Sequence, residues 1–376
     1  MSKEKTFKYD VLIGPEDLCN RREERKALLT AAKNGKRIIL FAPRRYGKTS
    51  LIRNIVGEDF KKSSRKHILL NFDLMDVRSL EAVEEWLQRG LSQALSSRIT
   101  TKKILAEIVS YLKGITVQIS PSDLTGQPSI QVTAQKKVPQ KNIHDYFCSI
   151  LDIAKNYRAM IVLDEFHDIA FVPEAEGLFR MFLQELSDAS VFILGSKRHL
   201  LKLMFQDAQA PLFHYGDEMH LKPIALDDWL PYFNERLSSA GMKIDRPALE
   251  WVLTTMHDVP NAICEVGAWF RENAGRGTAI TLNLAQKQLD DLVGKKQSFA
   301  YLLQVYSEKE KSVLKAISAI GYVNEPSSEA FLKIAGSPKS TVSSILKKML
   351  DLGVIEFELD KGYRISDPLL GRYLAK

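Results

Sequence analysis

Cysteine is scarce: Cys19, Cys148 and Cys264 are the only three in 376 residues, and they lie far apart with no C-x-x-C pair. That spacing argues against a disulfide framework or a thiolate zinc site and for reduced thiols. Long apolar runs are missing too. No stretch approaches the roughly 18 residues that mark a membrane-spanning helix, and the first ten residues, MSKEKTFKYD, lack the apolar core of a signal peptide. A cytoplasmic chain with no membrane partner is therefore expected. The histidines show no metal-ligand spacing and no paired nucleophile, which removes support for a metalloenzyme, a protease or a nuclease. There is no fixed-period repeat and no low-complexity tract.

The 45% hydrophobic and 26% charged residues suit an ordinary globular protein, and the length suggests two or three domains. A formal charge of +7 and a pI near 9.0 permit a nucleic-acid or acidic partner without requiring one.

The most informative stretch is RIILFAPRRYGKTSLI, residues 37–52. An apolar strand-like run from Ile38 to Phe41 enters a turn-prone loop, and Lys48-Thr49-Ser50 opens an apolar helix. This is the strand–loop–helix context in which backbone N–H groups wrap a phosphate. Lys48 is expected to reach the β- and γ-phosphates of ATP and the Thr49 hydroxyl to sit on Mg²⁺. The candidate cofactor-binding residues are Arg44, Arg45, Tyr46, Gly47, Lys48, Thr49 and Ser50. Two features depart from G-x-x-x-x-G-K-[ST]: Ala42 replaces the first Gly, and Pro43 supplies no N–H.

Through residue 226 short apolar runs (Ile38–Phe41, His67–Phe72, Met160–Leu163, Val191–Leu194, Met219–Leu221) alternate with helical stretches (Leu80–Leu95, Asn142–Lys155, Glu176–Leu186). This alternation predicts an α/β domain, a P-loop NTPase parallel sheet with helices on both faces. Within it, MIVLDEF (160–166) is a strand ending in two carboxylates. Asp164 is placed to hold Mg²⁺ with Thr49, and Glu165 to orient and deprotonate the attacking water. Asp168 is read as capping or decorating the next helix. The strand 190–195 ends in Gly195-Ser196, so Ser196 is a candidate contact to the γ-phosphate or the lytic water. The candidate catalytic set is Glu165, Lys48 and Ser196.

Residues 113–138 break the alternation. Two period-two runs flank a Pro/Gly/Asp-rich loop, which predicts an inserted β-hairpin. It has too few apolar residues to fold alone, so it leans on the sheet or on a partner. From 227 to 303 the pattern turns helical. From 304 to 376 three helices (Glu308–Ala319, Ser328–Ala335, Lys339–Leu350) precede two β runs (Val354–Leu359, Tyr363–Ile365) joined by Asp360-Lys361-Gly362. This is a winged helix-turn-helix pattern. Lys339, Ser340, Lys347 and Lys348 on the third helix, with Lys361 at the wing tip, are candidate nucleic-acid contacts. The same face also suits a protein-docking or autoinhibitory piece.

Taken with LCNRREE (18–24), GSKRHLLKLMF (195–205), PLFHYGDEMHLKPI (211–224) and YRISDPLLGRYL (363–374), these motifs resemble the archaeal-type ATPase branch of the STAND P-loop NTPases. The resemblance implies an AAA-like ATP-binding core (1–226), a helical lid (227–303) and a C-terminal winged helix (304–376) that act as a nucleotide-controlled switch. It puts Arg21 and Glu24 near the adenine pocket, Lys48 and Thr49 on Walker A, Asp164 and Glu165 on Walker B, and Ser196 on the sensor position. Gly216-Asp217 stands where many relatives carry Gly-Arg, and Asp258-Val259-Pro260 where the lid motif is Gly-x-Pro. Three readings follow: a slow Mg-dependent ATPase switch with nucleotide-dependent self-association, an ATP-liganded regulator of double-stranded DNA, and a protein-interaction scaffold with a weakened site.

Overall fold

A computed structural model describes residues 4–98, 102–121, 128–358 and 361–376 of the chain. Its principal sheet uses β1 (Arg37–Phe41) and β2 (His67–Asp73), and a separate hairpin pairs β3 (Ile115–Pro121) with β4 (Pro128–Ala134). The sheet continues with β5 (Arg158–Asp164), β6 (Ser190–Gly195) and β7 (Asp217–His220). The strand order is β2-β5-β6-β1-β7 with every pairing parallel. The interior strands β5, β6 and β1 are buried almost end to end, because helices cover both faces of a parallel sheet. The last strand begins two residues before the expected Met219 and is polar, as suits a short edge.

The other edge, β2, is covered by the Leu80–Arg98 helix. Gly90 makes this approach feasible, since a Cβ there would collide with the Asn71 carbonyl and the Phe72 ring. The same helix carries the hairpin. The Ser96 and Ser92 hydroxyls accept the N–H groups of Ile130 (2.9 Å) and Val132 (3.1 Å), and Tyr146 Oη accepts that of Ala134 (3.0 Å). Ile115, Ile130 and Val132 are buried beneath. The hairpin therefore leans on a helix rather than on the sheet; residues 122–127 of its expected loop lie outside the described residues.

By internal contacts the chain divides into two units. One comprises Arg22–Ala42 and Lys48–Leu221; the other comprises Met1–Arg21, Pro43–Gly47 and Lys222–Lys376. In the second, the helices Leu226–Leu237, Arg246–Thr255, Pro260–Asn273 and Leu282–Lys295 surround a parallel bridge of β8 (Lys243–Ile244) and β9 (Ala279–Ile280). The helices Glu308–Ile320, Glu329–Ala335 and Lys339–Asp351 follow, then β10 (Ile355–Glu358) and β11 (Gly362–Ile365) as an antiparallel wing. Ser307 and Glu310 form a capping box on the first of these helices. Among the described residues no helix is long and apolar enough to cross a membrane.

Candidate functional site

The first unit collects most of the expected chemistry at the carboxyl ends of β1, β5 and β6, where ligands bind in open parallel sheets. Lys48 is 5% exposed and its Nζ donates to the Ala42 carbonyl at 3.2 Å. Thr49 Oγ1 donates to Asp164 Oδ2 at 2.6 Å, across 115 residues of sequence. The other carboxylate oxygen of Asp164 accepts the Glu165 N–H at 3.0 Å. Burial raises the Asp164 carboxyl from 3.8 to about 6; the neighbouring Glu165 charge adds to this, and the Thr49 hydrogen bond opposes it.

Glu165 sits at φ 49°, in the left-handed region that a residue with a Cβ seldom occupies. Its Oε2 accepts both the backbone N–H (3.1 Å) and the hydroxyl (2.9 Å) of Ser196. The expected catalytic residues Glu165 and Ser196 are thus in direct contact. Ser50 is buried in the next turn, and the expected apolar helix begins as a π-helix (Ser50–Val56).

Three residues of this neighbourhood, His167, Asp73 and Lys197, were given no role from the sequence, and Asp168 has more partners than its sequence role implied. His167 is 1% exposed, with Nδ1 3.3 Å from Glu165 Oε2 but without hydrogen-bond alignment; burial lowers its pKa to about 4. The His167 ring also explains Gly195, where a Cβ would lie 2.7 Å from Nδ1. Asp168, expected to cap or decorate the next helix, lies in the first turn of the Phe166–Phe171 3₁₀ helix and is buried there. It accepts the Asp76 N–H at 2.9 Å and Lys197 Nζ at 3.3 Å, and lies 3.4 Å from His167 Nε2. Asp73 ends β2 in register with Asp164, and burial raises its pKa. A second apolar strand ending in Asp, and a Lys straight after Ser196, were the available signals for Asp73 and Lys197.

The second unit holds the loop tip. Arg45 (φ 60°) and Gly47 (φ 83°) are left-handed, and Arg45 Nη1 pairs with Asp367 Oδ2 at 2.6 Å. Arg44 Nη1 lies beside Gly353. Tyr46 is buried, which pushes its phenol to about 12, and the Arg21 guanidinium stands 5.7 Å from its ring centroid. Arg21 also donates to the Lys222 carbonyl at 2.5 Å. Glu24 lies in the first turn of the Arg22–Lys33 helix, in the other unit. Asp258, in the altered lid motif, has φ 55° and a carboxyl raised by burial.

On the Lys339–Asp351 helix, Lys339, Ser340, Lys347 and Lys348 are exposed. Lys348 Nζ is paired with Glu310 at 2.6 Å, and Lys361 Nζ is 3.7 Å from Glu358. Arg364, buried on β11 between Glu356 and Glu358, was not anticipated.

A parallel five-stranded sheet with a Lys-Thr loop after β1 and a carboxylate pair after β5 defines the P-loop ATPase fold, here with a C-terminal winged helix. The comparisons agree. The family model described as "AAA-like domain" matches residues 18–121, and the one described as "probable winged helix domain" matches residues 297–376. Among solved structures, a Walker-type ATPase of Pyrococcus abyssi is similar at 19% identity and TM-score 0.65, over 98% of this chain and 99% of that one. The Aeropyrum pernix ORC2 protein is similar at 15% identity and TM-score 0.54, over 99% and 97%. The Aeropyrum pernix ORC1 protein in complex with DNA is similar at 10% and 0.51, over 96% and 94%. At these identities the likeness is one of fold. No curated protein matches the chain.

Proposed function

We propose that the protein is an ATP-binding, slowly ATP-hydrolysing switch of the STAND type, with a lid over 227–303 and a winged-helix output domain over 304–376. The observation that carries this reading is the 2.6 Å bond between Thr49 and Asp164, which joins the loop after β1 to the acidic end of β5. A hydroxyl and a carboxylate at this separation are hard oxygen donors that suit Mg²⁺, which otherwise keeps water and phosphate ligands. Bound there, the ion would neutralise charge on the β- and γ-phosphate oxygens. Lys48 would exchange the Ala42 carbonyl for a phosphate oxygen, and the N–H groups from Lys48 to Ser50 would complete the anion cradle. Glu165, oriented by Ser196, would take the proton of the attacking water. An arginine finger supplied in trans would require a nucleotide-dependent homo-oligomer.

Lys48→Ala should abolish ATP binding in calorimetry, whereas Glu165→Gln should bind ATP and fail to hydrolyse it. Undiminished turnover by Glu165→Gln would remove the role given to that residue.

A second reading, an ATP-liganded regulator of double-stranded DNA, is favoured by the exposed Lys339, Ser340 and Lys347. The pairing of Lys348 and Lys361 with carboxylates reduces the charge they offer. It predicts gel-shift affinity that falls steeply with salt and weakens in Lys339→Ala and Lys347→Ala. No binding to duplex DNA at low salt would eliminate it and leave a protein partner for the winged helix.

A further inference from the structure

A polar cavity of about 220 Å³ lies in the first unit, against β2, between the helical segment that follows Thr49 and the Leu80–Arg98 helix. Arg53, Glu58 and Lys61 line one wall, Gln93 another, and Asn71 of β2 the floor. Lys48, Thr49, Asp164, Glu165 and Ser196 are not among its lining residues.

Three features set this cavity apart from an ordinary packing gap. First, the Asn71 Oδ1 atom is buried and has no hydrogen-bond partner. Buried acceptors are nearly always satisfied, so an unmet one on a residue that lines a cavity marks a place where a donor belongs. Second, the walls carry two cations and one anion. Glu58 is already engaged by Lys61 at 2.7 Å, while among the described residues Arg53 has one hydrogen bond, a long 3.3 Å contact to Gln93 through Nη2, and a longer-range attraction to Asp73. A guanidinium has five donors in a fixed fork suited to a carboxylate, so the local excess is positive and directional. Third, the wall that bears Arg53 is a π-helix, in which the Gly57 N–H reaches back five residues to the Ile52 carbonyl. Arg53 on this π-helix and Glu58 on the α-helix that continues it (Gly57–Ser63) both line the cavity. Such π-helical segments are rare and concentrate at functional sites.

We propose that this cavity binds a small organic acid carrying a hydroxyl or ammonium donor next to its carboxylate, as in a hydroxy acid or an amino acid. The carboxylate meets the Arg53 guanidinium and the donor satisfies Asn71 Oδ1. The volume, below the roughly 300–1,000 Å³ of drug-sized pockets, restricts the ligand to a small metabolite. The site does not depend on the nucleotide reading, and its test uses no nucleotide.

The test is calorimetric titration of the full chain with L-malate, L-serine, acetate and glycerol. Saturable binding of malate or serine is expected, with acetate (carboxylate alone) and glycerol (hydroxyls alone) at least about tenfold weaker. Arg53→Gln and Asn71→Leu should each weaken the bound acid about tenfold or more. Because Asn71→Leu alters a partly buried strand residue, its melting curve is read alongside; if it does not fold, Arg53→Gln decides. Equal affinity for acetate would reduce the cavity to an adventitious anion site and overturn the proposal. Absence of binding by malate and serine up to about 10 mM, or unchanged binding in Arg53→Gln, would also overturn it.

Discussion

Glu165 and Ser196, 31 residues apart in sequence, meet through two hydrogen bonds onto one carboxylate oxygen, at 3.1 Å from the backbone N–H and 2.9 Å from the hydroxyl. Adjacent parallel strands β5 and β6 end side by side, so the residue leaving one strand faces the residue leaving the other. A general base needs such an orienting partner, because a carboxylate that swings freely spends little time aimed at water.

Ser196→Ala removes the hydroxyl and leaves the N–H. Turnover of ATP should fall about tenfold, the equivalent of one hydrogen bond to a charged group, while ATP affinity changes little. Ser196→Thr should recover much of the loss. Single-turnover kinetics with separate measurement of Kd would check this. A rise in turnover would show instead that the bond restrains Glu165.

The acidic strand end should also be visible in stability. The Asp164 carboxyl is raised from 3.8 to about 6 in the folded protein, chiefly by burial. Its contribution to stability is therefore full below about pH 3.8 and is lost as pH rises through about 6. His167 runs the other way. Its pKa is lowered from 6.5 to about 4, so its contribution is present above about pH 6.5 and lost as pH falls through about 4. The two oppose each other across the same window. Asp164→Asn removes the Asp164 part, so with a chelator present the variant should be more stable than wild type at pH 7.5, by about 1–3 kcal/mol. Urea denaturation at pH 5 and 7.5 would measure the difference; identical curves at pH 7.5 would contradict it.

Asp168 should matter more for folding than its place in a polar-looking run suggests. It is buried and joins the Asp76 backbone to Lys197, with His167 at its other side. Asp168→Ala strands a buried amide and a partly buried ammonium, and should cost about 2–4 kcal/mol in urea denaturation. A cost under about 0.5 kcal/mol, the range of ordinary surface changes, would mean that the network carries no weight.

The positions of the principal strands were legible in the sequence because a parallel sheet needs near-continuous apolar runs, and these are local. Ile38–Phe41, Met160–Leu163 and Val191–Leu194 all lie within observed strands. The Lys48-Thr49 turn and the Asp164-Glu165 strand end were legible for the same reason. Each motif is complete within a few residues. The winged-helix elements were read from helical spacing and a Gly-containing turn, and their bounds agree to within about two residues.

Polar partnerships were not legible. Nothing near Asp168 reveals that it will accept the Asp76 N–H from 92 residues away, or that Lys348 will pair with Glu310. Nor does anything in the apolar run after Thr49 reveal that it winds as a π-helix. By itself the sequence determined where most strands and helices fall and which side chains are candidates for phosphate chemistry. Only the tertiary structure decided which polar groups satisfy one another and which, like Asn71 Oδ1, are left unmet. Apolar periodicity is written along the chain, whereas hydrogen-bond partners are selected by strand order and by the helices laid across the sheet.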